Sequence, residues 1–223
     1  MKSLRLWAVP VFAFLLPVVC FGADAAARAA GAADGATITF RKVFRTSYPE
    51  FVEIKISETG AGTYDIRALD EAPSPQAFQT GTELSRRIFS LAAKLHNFQG
   101  VDLAVHRRIA NLGEKTFRWE RGGEVHEATF NYTLDDSATQ LLNIFEGLTR
   151  QETGLADLQR TMRYDRLGVG DVLAQIEADY NGKLLPEPER LLASLDQLSA
   201  DAKFIDLARQ RARTLASRIR SGH

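Results

Sequence analysis

Cysteine is all but missing from this sequence: the one present, Cys20, sits inside an apolar N-terminal run. Beyond it no disulfide framework, thiol nucleophile or cysteine-ligated metal site is possible. Charge imbalance is missing too. The formal net charge is zero at pH 7, which argues against a strongly basic nucleic-acid binder and against an acidic, solvated chain. The histidines are His96, His106, His126 and His223, and no two of them stand at the i,i+4 spacing of a helical metal site. The sequence has no G-x-S-x-G elbow and no S-x-x-K pair, and Gly60-x-Gly62 lies between strand patterns rather than ahead of a helix. No metal, cofactor or catalytic residue is expected, and the chain reads as a non-enzyme.

Long hydrophobic runs are also scarce. The exception is Leu6 to Phe21, which follows Lys2 and Arg5, is broken by Pro10 and Pro17, and leads to Ala23-Asp24-Ala25. That is the pattern of a secretory signal, and the run is shorter than the roughly 20 residues of a spanning helix. Residues 1–25 are therefore expected to be a signal peptide. Export to a bacterial periplasm or cell exterior follows, with no integral membrane span after cleavage. Val18, Val19 and Phe21 around Cys20 argue against lipidation. Residues 26–36 are Ala/Gly-rich and read as a linker.

What is present is ordinary globular material, 45% hydrophobic and 25% charged. The clearest stretch runs from Lys115 to Leu148. A Gly122-Gly123 turn predicts a hairpin with Arg121 opposite Glu124, Trp119 opposite His126, Arg118 opposite Glu127 and Phe117 opposite Ala128. Alternation then puts Phe117, Trp119, His126, Ala128 and Phe130 on one face, with Tyr132 continuing it. Thr116, Arg118, Glu120, Val125, Glu127, Thr129 and Asn131 fall on the other. Asp135 or Asp136 can cap a following helix whose stripe is Ala138, Leu141, Leu142, Phe145 and Leu148.

Earlier in the chain, alternation predicts three strands: one over 37–45, one through Val52, Ile54 and Ile56, and one through Tyr64, Ile66 and Ala68. Residues 70–77, with Pro73 and Pro75, read as a loop. A helix capped near Thr82 carries Leu84, Ile88, Leu91, Leu95 and Phe98, ended by Asn97 and Gly100. Residues 101–114 are ambiguous, with a strand over 108–112 preferred. The expected fold class over 37–150 is α+β: an antiparallel sheet with two helices on one face.

From Thr153 the pattern is helical throughout, giving an all-helical C-terminal module over 153–221. Leu155, Leu158 and Met162 mark a short helix. Asp171 can cap the next, which Asn181-Gly182 stops. Leu191-Leu192-x-x-Leu195, then Asp201, then Ala208-Arg209-x-x-Ala212-x-x-Leu215 resembles a HEAT-like helical hairpin over about 188–219. The resemblance implies a scaffold for protein contacts and no chemistry.

Three groupings could carry function. His126 beside Trp119, with Glu124 and Glu127 near, is the most site-like, and a sheet-edge histidine explains it as well. The carboxylate pairs Asp135-Asp136, Asp70-Glu71 and Glu187/Glu189 read as capping or loop residues; acid–base work would need one desolvated carboxyl beside a solvated one. The last helix is basic through Lys203, Arg209, Arg211, Arg213, Arg218 and Arg220, which a solvated outer face accounts for. The expected role is a protein-binding or structural module of the envelope with a protein partner and no nucleic acid. Its candidate interaction surface is Arg118, Glu120, Gly122, Gly123, Glu127 and Asn131. The alternatives are an inhibitor of an exported hydrolase, or a hydrolase with its site near His126.

Overall fold

The computed structural model describes residues 35–222. The signal-peptide pattern, Cys20, most of the Ala/Gly-rich stretch and His223 lie outside the described residues. Ala36 belongs to the fold: it is buried, and its carbonyl accepts the Glu58 N–H at 3.2 Å.

The predicted meander is present as β1 (Thr37–Val43), β2 (Phe51–Ser57) and β3 (Ala61–Arg67). A further strand, β4 (Gln76–Gln79), pairs with β3 where only a loop is expected. Four residues with one large apolar side chain, Phe78, are too few for alternation to show. Then come α1 (Thr82–Lys94), β5 (Glu114–Arg121), β6 (Glu124–Phe130) and α2 (Asp136–Tyr164). The C-terminal part is α3 (Val169–Asn181), α4 (Leu192–Ala200) and α5 (Asp206–Ser221). The sheet is antiparallel in the order β4-β3-β2-β1-β5-β6.

The fold class is α+β, as the sequence predicts. The hairpin register also holds residue for residue, with Trp119 opposite His126 and Phe117 opposite Ala128. Pairing of β1 with β5 sets Phe40 opposite Phe117, and Ile54 of β2 opposite Phe40, on one face. Leu84, Ile88 and Leu91 of α1 and Leu141, Phe145 and Leu148 of α2 close over that face to make one core. Phe145 stacks on Phe40 with centroids 5.2 Å apart. A second core joins Leu158 of α2 to Leu173 and Ile176 of α3, Leu195 and Leu198 of α4, and Leu215 of α5. Helices α2 and α3 pack as one pair, and α4 and α5 as another. Among the described residues no helix is long and apolar enough to cross a membrane.

Several local expectations are overturned. Residues 101–113 contain no strand. The Asn131 side chain occupies the backbone there instead, accepting from Leu112 N at 2.7 Å and donating to the Ala110 carbonyl at 2.8 Å. Helix α2 runs unbroken for 29 residues, so no separate short helix begins at Thr153. Its cap is Asp135, which accepts from Ala138 N at 2.8 Å. Thr82 is not a cap; Gly81 holds that position. Asp171 lies inside the first turn of α3, which starts after Gly168. Tyr132 lies beyond the end of β6 and is 41% exposed, so it does not continue the buried face.

Candidate functional site

Two helices on one face leave the other face of the sheet uncovered. Alternation along β1, β2, β5 and β6 sends Arg41, Glu53, Lys55, Arg118, Glu120 and Glu127 there. These charges interlock. Arg118 reaches Glu120 at 2.9 Å and Glu127 at 3.5 Å, and Lys55 lies 3.8 Å from Glu120. Hydrogen bonding to Glu120 raises the Arg118 pKa, and the same contact lowers that of Glu120. A shallow hollow of about 210 Å³ lies among Thr39, Arg41, Glu53, Lys55, Thr116, Arg118 and Glu120.

Of the predicted interaction residues, the structure brings Arg118, Glu120 and Glu127 into this one ladder. Gly122 and Gly123 form the hairpin tip with φ of 55° and 88°, and a Cβ at either would meet nothing within 4 Å. Asn131 stands apart, at the other end of β6, where it holds the 110–112 backbone.

His126 lies with its ring on Trp119, centroids 5.4 Å apart and planes 12° from parallel. Its Nε2 is 3.0 Å from Glu124, while Nδ1 is buried without a partner. The histidine thus finishes the edge of the aromatic core. His106 pairs with Asp102 at 2.5 Å in the irregular stretch, and that contact lowers the Asp102 pKa. Among the described residues no group of three or more His, Cys, Asp or Glu could hold a metal ion.

The basic last helix is largely neutralised from within. Arg209 pairs with Asp206, Arg211 with Glu177 and Arg220 with Asp196, at 2.8, 2.6 and 2.5 Å. Arg218 lies over the Tyr180 ring and donates to Asn181.

Two features lie outside the sequence reading. The first is a buried polar cluster. Glu152, 1% exposed, receives Nε and Nη2 of Arg190 at 3.1 Å each, a two-pronged pairing. Arg190 also donates to the Gln79 carbonyl, and the Gln151 side chain accepts Glu187 N at 2.9 Å. Burial, reinforced by Glu152, raises the pKa of Tyr64 beside them. The second is a pair of clefts on either side of α2, sharing Glu146 and Arg150. One, about 510 Å³, lies between α2, α3 and the 47–49 loop, with Val52, Val172 and Ile176 in its wall. The other, about 410 Å³, is set among α1, α2 and the turn after α3. Neither cluster nor clefts follow a linear motif, since each gathers side chains from three or more elements. No protein-family model matches the chain, and no curated protein is found to be similar to it.

Proposed function

We propose that the chain is an exported, non-catalytic module of the bacterial envelope that works through protein contacts made by the open face of its sheet. One observation carries this reading. A sheet of six strands is covered by helices on a single face, and its other face presents a ladder of alternating charges around Arg118. Complementary charge at such a face gives register and partner choice more than raw affinity. The HEAT-like pairing of α4 with α5 adds a helical scaffold suited to the same role. Export rests on the N-terminal pattern alone.

Against a hydrolase centred on His126 stands the use already made of that ring, flat on Trp119 with Nε2 at Glu124. The test is affinity capture from a native envelope extract, comparing the wild type with an Arg118→Glu, Glu127→Lys double variant of unchanged stability. A partner retained by the wild type and lost by the variant is the expected result. Identical retention by both, or hydrolytic turnover abolished by His126→Ala in a folded protein, would sink the proposal.

A further inference from the structure

We propose that the cleft bounded by Arg87, Arg150 and Lys183 binds a phosphate group carried on an apolar body. The three cations come from three different elements, α1, α2 and the turn after α3, and all line the same space of about 410 Å³. None of their side chains makes an ion pair or hydrogen bond among the described residues. Glu146 also borders the cleft, but its carboxylate is held by Lys42 at 3.0 Å. The floor is apolar, formed by Leu84, Ile144, Leu184 and Pro186, and the Gln140 and Asn143 amides stand beside it. Three cations lining one cleft from separate elements match a multiply charged group with three acceptor oxygens better than a singly charged planar carboxylate.

The backbone supplies an independent reason. Helix α3 ends in a Schellman turn: Leu184 N donates to the Asp179 carbonyl at 2.9 Å and Lys183 N to the Tyr180 carbonyl at 3.0 Å. The left-handed position of that turn, which favours glycine, is taken by Lys183 at φ 56°, although Gly182 stands next to it at φ −73°. The chain therefore keeps a strained lysine where the preferred residue is one position away, and the lysine side chain borders the cleft. Strain retained in this way is a mark of a working position.

Octyl phosphate is the probe, followed by amide chemical shifts of the full chain. Binding is expected to shift residues around Arg87, Asn143, Arg150 and Lys183 and to weaken as ionic strength rises. Lys183→Gly is expected to raise the melting temperature by about 2–4 °C while weakening octyl phosphate at least about tenfold. A merely structural lysine would not separate the two readouts. Arg87→Gln, on an exposed position, should weaken binding by a similar factor with stability unchanged. Cosedimentation with phosphatidylcholine vesicles containing phosphatidic acid, lost in Lys183→Gly, would identify a lipid headgroup as the source. Octyl phosphate binding without cosedimentation would identify a soluble phosphate ester. The proposal is overturned if octyl phosphate does not bind, if octyl glucoside binds as tightly, or if Lys183→Gly binds as the wild type does.

Discussion

Glu187 accepts the Gly81 N–H through Oε1 at 2.5 Å, while Oε2 is buried with no hydrogen-bond partner. Burial raises its pKa, helped by Glu189 and Glu152 and opposed by the Gly81 N–H and Arg190. A carboxyl whose pKa is higher folded than unfolded makes the native state bind more protons in the window between the two values. Stability therefore falls as pH rises through that window and levels off above it. Glu187→Gln keeps an oxygen for Gly81 and removes the titration. The variant should match the wild type near pH 4 and exceed it by about 1 kcal/mol at pH 7, since the neutral amide escapes the cost of desolvating a carboxylate, which is at least of that order. Urea unfolding at the two pH values measures this, and a difference independent of pH would refute it. Lys115 shows the opposite solution to burial. Its pKa is lowered by desolvation and by Lys42, yet Nζ donates to the Leu112, Gly113 and Asn131 carbonyls at 2.9, 3.1 and 2.8 Å. A satisfied ammonium of that kind anchors the irregular stretch rather than serving as a nucleophile.

At the end of α1 the chain makes a turn in which His96, Asn97 and Phe98 all have positive φ, of 52°, 50° and 68°. Left-handed backbone costs roughly 1–2 kcal/mol per non-glycine residue. The return is Phe98, 1% exposed and stacked on Phe117 at 5.4 Å. Phe98→Ala should lose about 3–5 kcal/mol, whereas exposed His96→Gly should gain up to about 1 kcal/mol. Thermal unfolding of the two variants checks both signs, and a stabilised Phe98→Ala would show that the turn strain outweighs the burial. This turn was legible only in part, because the apolar stripe through Leu95 and Phe98 is real while the helix beneath it stops at Lys94. The register of the β5–β6 hairpin was legible because its information is local, a Gly-Gly turn and strict alternation, although β6 stops at Phe130, short of Asn131 and Tyr132. The sequence pattern divides helix α2 near Thr153 for a physical reason. Its apolar periodicity lapses at Gln151 and Glu152, both 1% exposed, where the buried side is met by Glu187 N and Arg190 instead of by aliphatic groups. The charge ladder on the open sheet face shares the hairpin's local logic, but the cleft of Arg87, Arg150 and Lys183 depends on packing between elements and left no trace in any one segment.

Across the whole molecule, two apolar cores share α2, which contributes Leu148 to the sheet core and Leu158 to the helical one. Arg190 sits at the join. It reaches Glu152 on α2 and the Gln79 carbonyl on β4, and its guanidinium lies 5.4 Å from the Phe78 ring centroid. Next to it Glu187 holds the N-cap of α1. A link through a continuous helix and a desolvated ion pair predicts that the sheet and the C-terminal helices unfold together. Arg190→Met leaves Glu152 buried and uncompensated, which should cost about 3–5 kcal/mol. Replacing both partners, with Glu152→Leu added, should recover most of that loss, because an apolar pair of similar volume needs no desolvation of charge. Urea titration followed through amide signals of the β1–β5 core and of α5 is the measurement. In the wild type the two sets should share one midpoint. In Arg190→Met the α5 signals should be lost at lower urea than the sheet signals, and in the double variant the midpoints should coincide again. Separate midpoints in the wild type would mean that α2 joins two independently folding parts and that Arg190 does not couple them.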